Sequence, residues 1–186
     1  MTPHCKGVAV LARLKWVQQV HDNAGFTRFL AALPPSTRDA VDARILPHGW
    51  VPFQVFIDVL VTLDGLFGQG DLSLCRELGG WAAAENLPRV FKIFFRFGSP
   101  TFIFDRAAKL WSSHYDSGTL VVVDREETAA RLVISDFAAP HRAHCLSVLG
   151  WAAKSIELSG SEVTYAEEEK CRTRGDDACE MVVRWK

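Results

Sequence analysis

This 186-residue sequence carries no excess of either charge: 21 basic residues stand against 22 acidic ones, a formal net charge of −1. Neither sign collects in a block, so the electrostatic footprint of a nucleic-acid binder is missing and no nucleic acid is expected as a partner. Long hydrophobic runs are also lacking. The longest, Val55 to Leu63, is broken by Asp58 and followed by Asp64, which excludes a membrane-spanning helix. The short apolar stretch Val8 to Ala12 meets Arg13 and Lys15 and has no small-residue cleavage site. It is not a signal peptide, and the expected location is cytoplasmic. There is no internal repeat and no low-complexity segment. Catalytic signatures are missing as well: no Gly-rich phosphate loop, no nucleophile elbow, no His-x-x-x-His. The one nucleophile-and-base neighbour pair is His144 and Cys145. Adjacent helical residues point about 100° apart, so this pair is poorly placed to hydrogen-bond. A non-enzymatic protein is expected.

What is present is a full complement of core material. Hydrophobic residues make up 48% of the chain, with six Trp and twelve Phe. That suffices for one buried core without staples. Five cysteines in a cytosolic chain point to thiols or metal ligands rather than a disulfide framework.

The first hundred residues read as helical. Leu11, Leu14, Val17 and Val20 recur at helical spacing, and Phe26, Phe29, Leu30 and Leu33 begin a second helix. Thr37 is placed to cap a third, running to Ile45. Pro52 suits the first turn of a helix to Leu66, and Asp71 the cap of a helix from Leu72 to Asn86. Pro88 and Ser99-Pro100 open two more, the last running through Tyr115. At Gly118 the pattern changes. Thr119 to Val123 is β-branched and short, Ala129 to Phe137 alternates, Pro140 starts a helix to Leu158, and strands follow over Glu162–Lys170 and Cys179–Trp185. The expected class is α/β in the α+β sense. A helical part over 1–98 packs with a β-β-α-β-β part over 99–186, on an antiparallel sheet, as one compact domain.

Three cysteines fall in the last 42 residues: Cys145, Cys171 and Cys179. The last two bracket the turn Arg172–Ala178, so a hairpin brings their sulfurs together, and Cys145 on the preceding helix could join them. Glu168 could add an oxygen. Three thiolates and a carboxylate suit a closed tetrahedral zinc site. On a regular strand Glu168 and Cys171 face opposite sides, so a bulge or the strand's end must intervene. Glu167, Glu169 or His144 are alternative fourth ligands, and plain buried thiols are the competing reading.

The segments Cys145-Leu-Ser-Val-Leu-Gly-Trp-Ala152 and Glu168-Glu-Lys-Cys171-Arg-Thr-Arg-Gly-Asp-Asp-Ala-Cys179 resemble the C-terminal signature of 4-vinyl-reductase-like domains. The version in the sensory domains of phenol- and toluene-responsive activators is the nearest in pattern. The resemblance covers about residues 96–186, including Trp111…Tyr115-Asp-x-Gly118. The whole chain, with Trp50-Val-Pro52 and Ser99-Pro100, is also similar to a family of short myxobacterial proteins. The resemblance implies structural zinc on Cys145, Glu168, Cys171 and Cys179, and a ligand pocket of the kind those sensors use for aromatic molecules. It implies a homodimer paired through N-terminal helices, a separate downstream signalling protein, and a fold related to heme nitric-oxide sensors and TRAPP tethering subunits. Fold alone does not give function. The chain departs from the activators in having no ATPase domain and no helix-turn-helix. It departs from the heme sensors in lacking Tyr-x-Ser-x-Arg, and no heme is expected. His114 is the one candidate axial ligand, and a satisfied histidine at a helix end is the competing reading.

The aromatic cluster from Phe91 to Tyr115 is read as core, with an apolar pocket between helices and sheet as its functional alternative. The residues assigned to that pocket are Phe95, Phe97, Trp111, Tyr115 and Trp151. The expected function is a stand-alone sensor or regulatory module for a small apolar or aromatic ligand. A tethering-type scaffold and an accessory factor in tetrapyrrole biosynthesis are the alternatives.

Overall fold

The computed structural model describes residues 2–91 and 104–186, the side chains of 88–91 excepted. Among the described residues, the helical half holds α1 (Gly7–Val20), α2 (Asn23–Ala32), α3 (Pro35–Asp42), α4 (Phe53–Phe67) and α5 (Ser73–Phe91). After them come α6 (Ala107–His114), the hairpin β3 (Thr119–Val123) and β4 (Ala129–Ser135), α7 (Arg142–Leu158), and the hairpin β5 (Val163–Lys170) and β6 (Cys179–Trp185).

The C-terminal sheet is antiparallel throughout, in the order β3-β4-β6-β5. Its core face is set by period-two alternation. Ala130, Leu132 and Ile134 of β4 are buried, opposite Val183, Met181 and Cys179 of β6. That face packs beneath α7 and the helical half.

The all-helical reading of the first hundred residues needs correction. β1 (His4–Lys6) pairs antiparallel with β2 (Trp50–Pro52) as a separate two-stranded sheet. Three-residue strands carry too little alternation to register in a sequence pattern. They tie the chain's start to the end of α6. The His4 N–H donates to Asp116 Oδ1 at 2.7 Å, and Cys5 bridges to Tyr115.

Helix limits shift for identifiable reasons. α5 continues through Pro88 to Phe91 instead of restarting there. α3 starts at Pro35, and Thr37 lies inside it, its hydroxyl bonded to Asp58 rather than capping. Asp71 does cap α5, accepting from the Ser73 N–H at 2.9 Å. It is assisted by the buried Asp64, whose carboxylate accepts from the Leu72 and Leu74 N–H groups at 2.9 and 3.0 Å. The buried face of α1 is also rotated from the expected one. Ala9, Val10, Arg13, Trp16 and Val17 point inward, while Val20 is 55% exposed.

Among the described residues, α5 and α7 cross with their backbones in direct contact. A Cβ at Gly79 would lie 1.9 Å from the Ser147 carbonyl oxygen, and one at Gly150 would lie 1.8 Å from that of Arg76. Only two glycines let these backbones touch. The crossing fixes the height at which α7 presents Cys145, Ser147 and Trp151. Among the described residues, no helix is long and apolar enough to cross a membrane.

Candidate functional site

Two places in the molecule gather chemical groups, and α7 runs through both. The first is a cavity of about 150 Å³ between the helical half and the sheet. α1 contributes Val8, Ala9 and Arg13; α5 contributes Ala82, Asn86 and Leu87; α6 contributes Ala107, Leu110, Trp111 and His114. Tyr115, Leu120, Leu132, Ser147, Val148 and Trp151 complete the wall. Of the residues assigned to a pocket from sequence, Trp111, Tyr115 and Trp151 line this cavity together, and Phe95 and Phe97 lie outside the described residues. Trp111 is held in place by its indole N–H, which lies 3.1 Å from the carbonyl oxygens of both Ser117 and Gly118.

Two wall residues are not among those the sequence assigns to the pocket, one of them His114, the candidate axial ligand. Arg13 is 5% exposed. One of its amino groups donates to the Ala9 carbonyl at 3.1 Å and the other to Ser147 Oγ at 2.6 Å, while its Nε has no acceptor. Burial lowers its pKa to about 10, so it remains a cation at neutral pH. The available signal was position: Arg13 follows Val10 by three residues and precedes Val17 by four, which puts a charge on an apolar helix face. The second residue is His114. Its Nδ1 lies 2.8 Å from the Leu110 carbonyl oxygen. A carbonyl only accepts, so Nδ1 carries the proton and Nε2 keeps its lone pair. Burial lowers the pKa of this imidazole.

Behind the cavity His144 is enclosed by the rings of Phe53, Trp111, Tyr115 and Phe137, with centroids 4.9 to 5.5 Å away. Its pKa falls to about 3 by burial, helped by the Arg13 cation, so it is a neutral core ring. It is not part of the sulfur cluster.

That cluster is the second place. The sulfurs of Cys145, Cys171 and Cys179 all lie within 4.8 Å of one another, and all three residues are buried. The β5–β6 turn organises it. Asp176 accepts from the Cys171 N–H at 2.7 Å, Thr173 Oγ1 sits 3.0 Å from Cys171 Sγ, and the Arg172 N–H donates to Cys179 Sγ at 3.4 Å. The Cys145 thiol hydrogen-bonds to both partners. This contact draws Cys171 down to about 4 and Cys179 below its ordinary value, and it raises Cys145. Cys5 and Cys75, by contrast, are pushed up to about 12 by burial and are inert thiols.

Glu168 reaches this corner through a register shift between Glu168 and Lys170, the irregularity that strand alternation demands. Its Oε2 is paired with Arg142 at 3.2 Å and Arg174 at 3.5 Å. Its Oε1 is buried without a partner, and burial followed by the neighbouring Cys171 raises its pKa. The mutually close set therefore comprises three sulfurs, with Glu168 engaged by two arginines beside it. Glu167 and Glu169 are exposed on the strand.

No family model and no curated protein matches this sequence. Solved structures do. The chain has the fold of H-NOX domains. An H-NOX protein from S. oneidensis in the Fe(II)NO ligation state superposes with a TM-score of 0.75 at 12% identity, over 97% of this chain and 99% of the other. An oxygen-binding H-NOX domain related to soluble guanylate cyclases, in its oxygen complex, gives 0.64 at 13% identity, over 97% and 95%. A structure concerned with heme distortion in the H-NOX family gives 0.66 at 12% identity, over 97% and 95%.

These findings correct the cofactor expectation, which was zinc and no heme. The neighbours across nearly the whole chain are proteins described by their heme and iron ligation, so the missing Tyr-x-Ser-x-Arg motif is no ground for excluding heme. The zinc assignment required a closed four-ligand shell. The sulfur cluster supplies three members, and the arginine pairs hold the carboxylate proposed as the fourth. Tested against a heme, the cavity offers an axial base in His114 and a cation in Arg13. Its volume, about 150 Å³, is that of a site for one aromatic ring, so a macrocycle enters only if the walls move apart.

Proposed function

We propose that this chain is a small-molecule-binding sensor domain, binding rather than transforming its ligand. The observation that carries the reading is the mainly apolar cavity between helices and sheet, in a fold shared with an oxygen-binding H-NOX domain. Its volume of about 150 Å³ favours a molecule of one ring, held against Trp111, Tyr115 and Trp151. Ligand in the cavity would favour one arrangement of α1, α5 and α6 over another, a population shift that a separate partner reads. The resemblance of Cys145 to Cys179 to vinyl-reductase-like sensory domains agrees with this reading. A thermal-shift series with toluene, phenol and benzoate tests it. A rise in melting temperature with at least one is expected, and unchanged melting across a broad apolar panel would favour the scaffold alternative.

A second reading has its own observation. His114 lines the cavity with its Nδ1 bonded to the Leu110 carbonyl, which leaves Nε2 as the ring's acceptor, in a fold whose neighbours are described by their heme and iron ligation. His114 would hold that iron, and the heme would supply the gas-binding chemistry. Titration with hemin, followed by the Soret band, separates this from the first reading: a band whose position changes in His114→Ala supports it, and free-hemin absorbance throughout opposes it.

For the sulfur cluster we propose a cation-binding staple between α7 and the β5–β6 hairpin, with Cys145, Cys171 and Cys179 as ligands and Glu168 at its border. Soft sulfur donors select a thiophilic ion. Cadmium(II) titration monitored by thiolate-to-metal absorbance is expected to saturate at one ion per chain and to be abolished in the Cys171→Ser, Cys179→Ser variant.

A further inference from the structure

The charge at the cavity wall has no counter-charge. Arg13 is 5% exposed, and among the described residues no carboxylate pairs with it; the charged or ionisable groups that bear on it most are Tyr115, Cys5 and Cys75. Of its five N–H donors, one is used by Ala9 and one by Ser147, and Nε is without an acceptor. The guanidinium is held in place from behind by the Phe56 ring, 5.0 Å from its centroid. The remaining polar groups on the described wall, Asn86, His114, Tyr115 and Ser147, are all uncharged at neutral pH, and among the described residues no Asp or Glu lines the cavity. Tyr115 keeps its phenolic proton because burial raises its pKa well above the ordinary phenol value, which leaves it a hydrogen-bond donor.

A buried cation without a partner is costly unless something completes it. A protein interior rarely retains one for packing alone, since an apolar side chain of similar length fills the same space. Here the cation stands where the cavity can deliver the missing group.

We propose that the cavity recognises a small ligand in which an apolar ring carries a carboxylate, with Arg13 as its specificity-determining residue. A carboxylate accepts two parallel bonds from a guanidinium fork, matching the donors that Arg13 has left over. The ring would lie against Trp111, Leu132 and Trp151, in a volume of about 150 Å³ that suits one ring. This inference rests on the sensor reading above and adds the charge class of its ligand. A porphyrin carboxylate offers the same chemistry from a different source.

The test is calorimetric titration of the full chain, free of heme absorbance, with benzoate, benzamide and toluene. Benzoate is expected to bind at least about tenfold more tightly than either neutral analogue. Arg13→Met is expected to abolish that preference while keeping toluene binding within about threefold. Should Arg13→Met not fold, the ranking of the three ligands on the unaltered protein decides alone. Toluene binding as tightly as benzoate overturns this proposal and leaves the apolar-ligand reading intact. Failure of all three to bind overturns both. Displacement of bound benzoate by hemin, with loss of that competition in Arg13→Met, supports the carboxylate site and assigns it to a porphyrin.

Discussion

Cys145 and Ser147 stand two residues apart on α7, yet they serve sites built in different ways. Cys145 joins two sulfurs that one hairpin turn brings together, eight residues apart in the chain. Ser147 accepts a hydrogen bond from Arg13, 134 residues away, on the wall of a cavity to which four helices and two strands contribute. The sulfur corner is local, and its geometry follows from a turn. The cavity is global, and it exists only when the helical half and the sheet are docked. The difference teaches which perturbations reach both sites and which reach one.

The largest effect is expected where the two sites share a foundation. Gly150→Ala places a methyl group against the Arg76 carbonyl, where there is no room, and should cost on the order of 3 kcal/mol in urea unfolding. Ligand binding and cadmium binding should weaken together; if one survives intact, the glycine crossing does not set both. Leu132→Ala removes a buried residue from the cavity wall alone. It should cost about 2 kcal/mol, the low end for such truncations because one side already borders space. The enlarged cavity should admit a ring with bulkier substituents, with cadmium affinity unchanged.

Ser147→Ala takes away the acceptor of a charged donor, which should cost about 1.5 kcal/mol. Because it frees a further Arg13 N–H, benzoate affinity should hold or rise, and a fall of more than tenfold would contradict the role given to Arg13. Cys171→Ser is the smallest, about 1 kcal/mol without metal. Cavity ligands should bind within about twofold of the unaltered protein, and a larger change would mean that the two sites are coupled more closely than their separation on α7 implies.

The same contrast governs how much the sequence discloses. Thr119 to Val123 is found with its exact limits because β-branched residues between Gly118 and a charged turn leave little choice. The sulfur corner is visible because Cys171 and Cys179 flank a turn. Arg13 is not visible as a binding residue, since its partner Ser147 is brought near only by tertiary folding. The strands β1 and β2 pair Cys5 with Val51 across a separation that no local pattern encodes. His114 is placed correctly at a helix end, but its lone pair acquires meaning only from the cavity beside it. Whether a cofactor is held is least legible of all, because one missing motif does not exclude a group that other residues of the same fold could hold.

The contact of α5 with α7 through Gly79 and Gly150 has a mechanical consequence. Where two backbones touch with no side chain between them, there is no compliant layer to absorb a push. The rise from Ser147 to Cys145 is about 3 Å along one rigid turn. A ligand that displaces Arg13, and with it Ser147, therefore loads a stiff beam pinned at its midpoint. Cys145 lies two residues from Ser147 on that beam, so such a load would be felt next at the turn that holds Cys171 and Cys179.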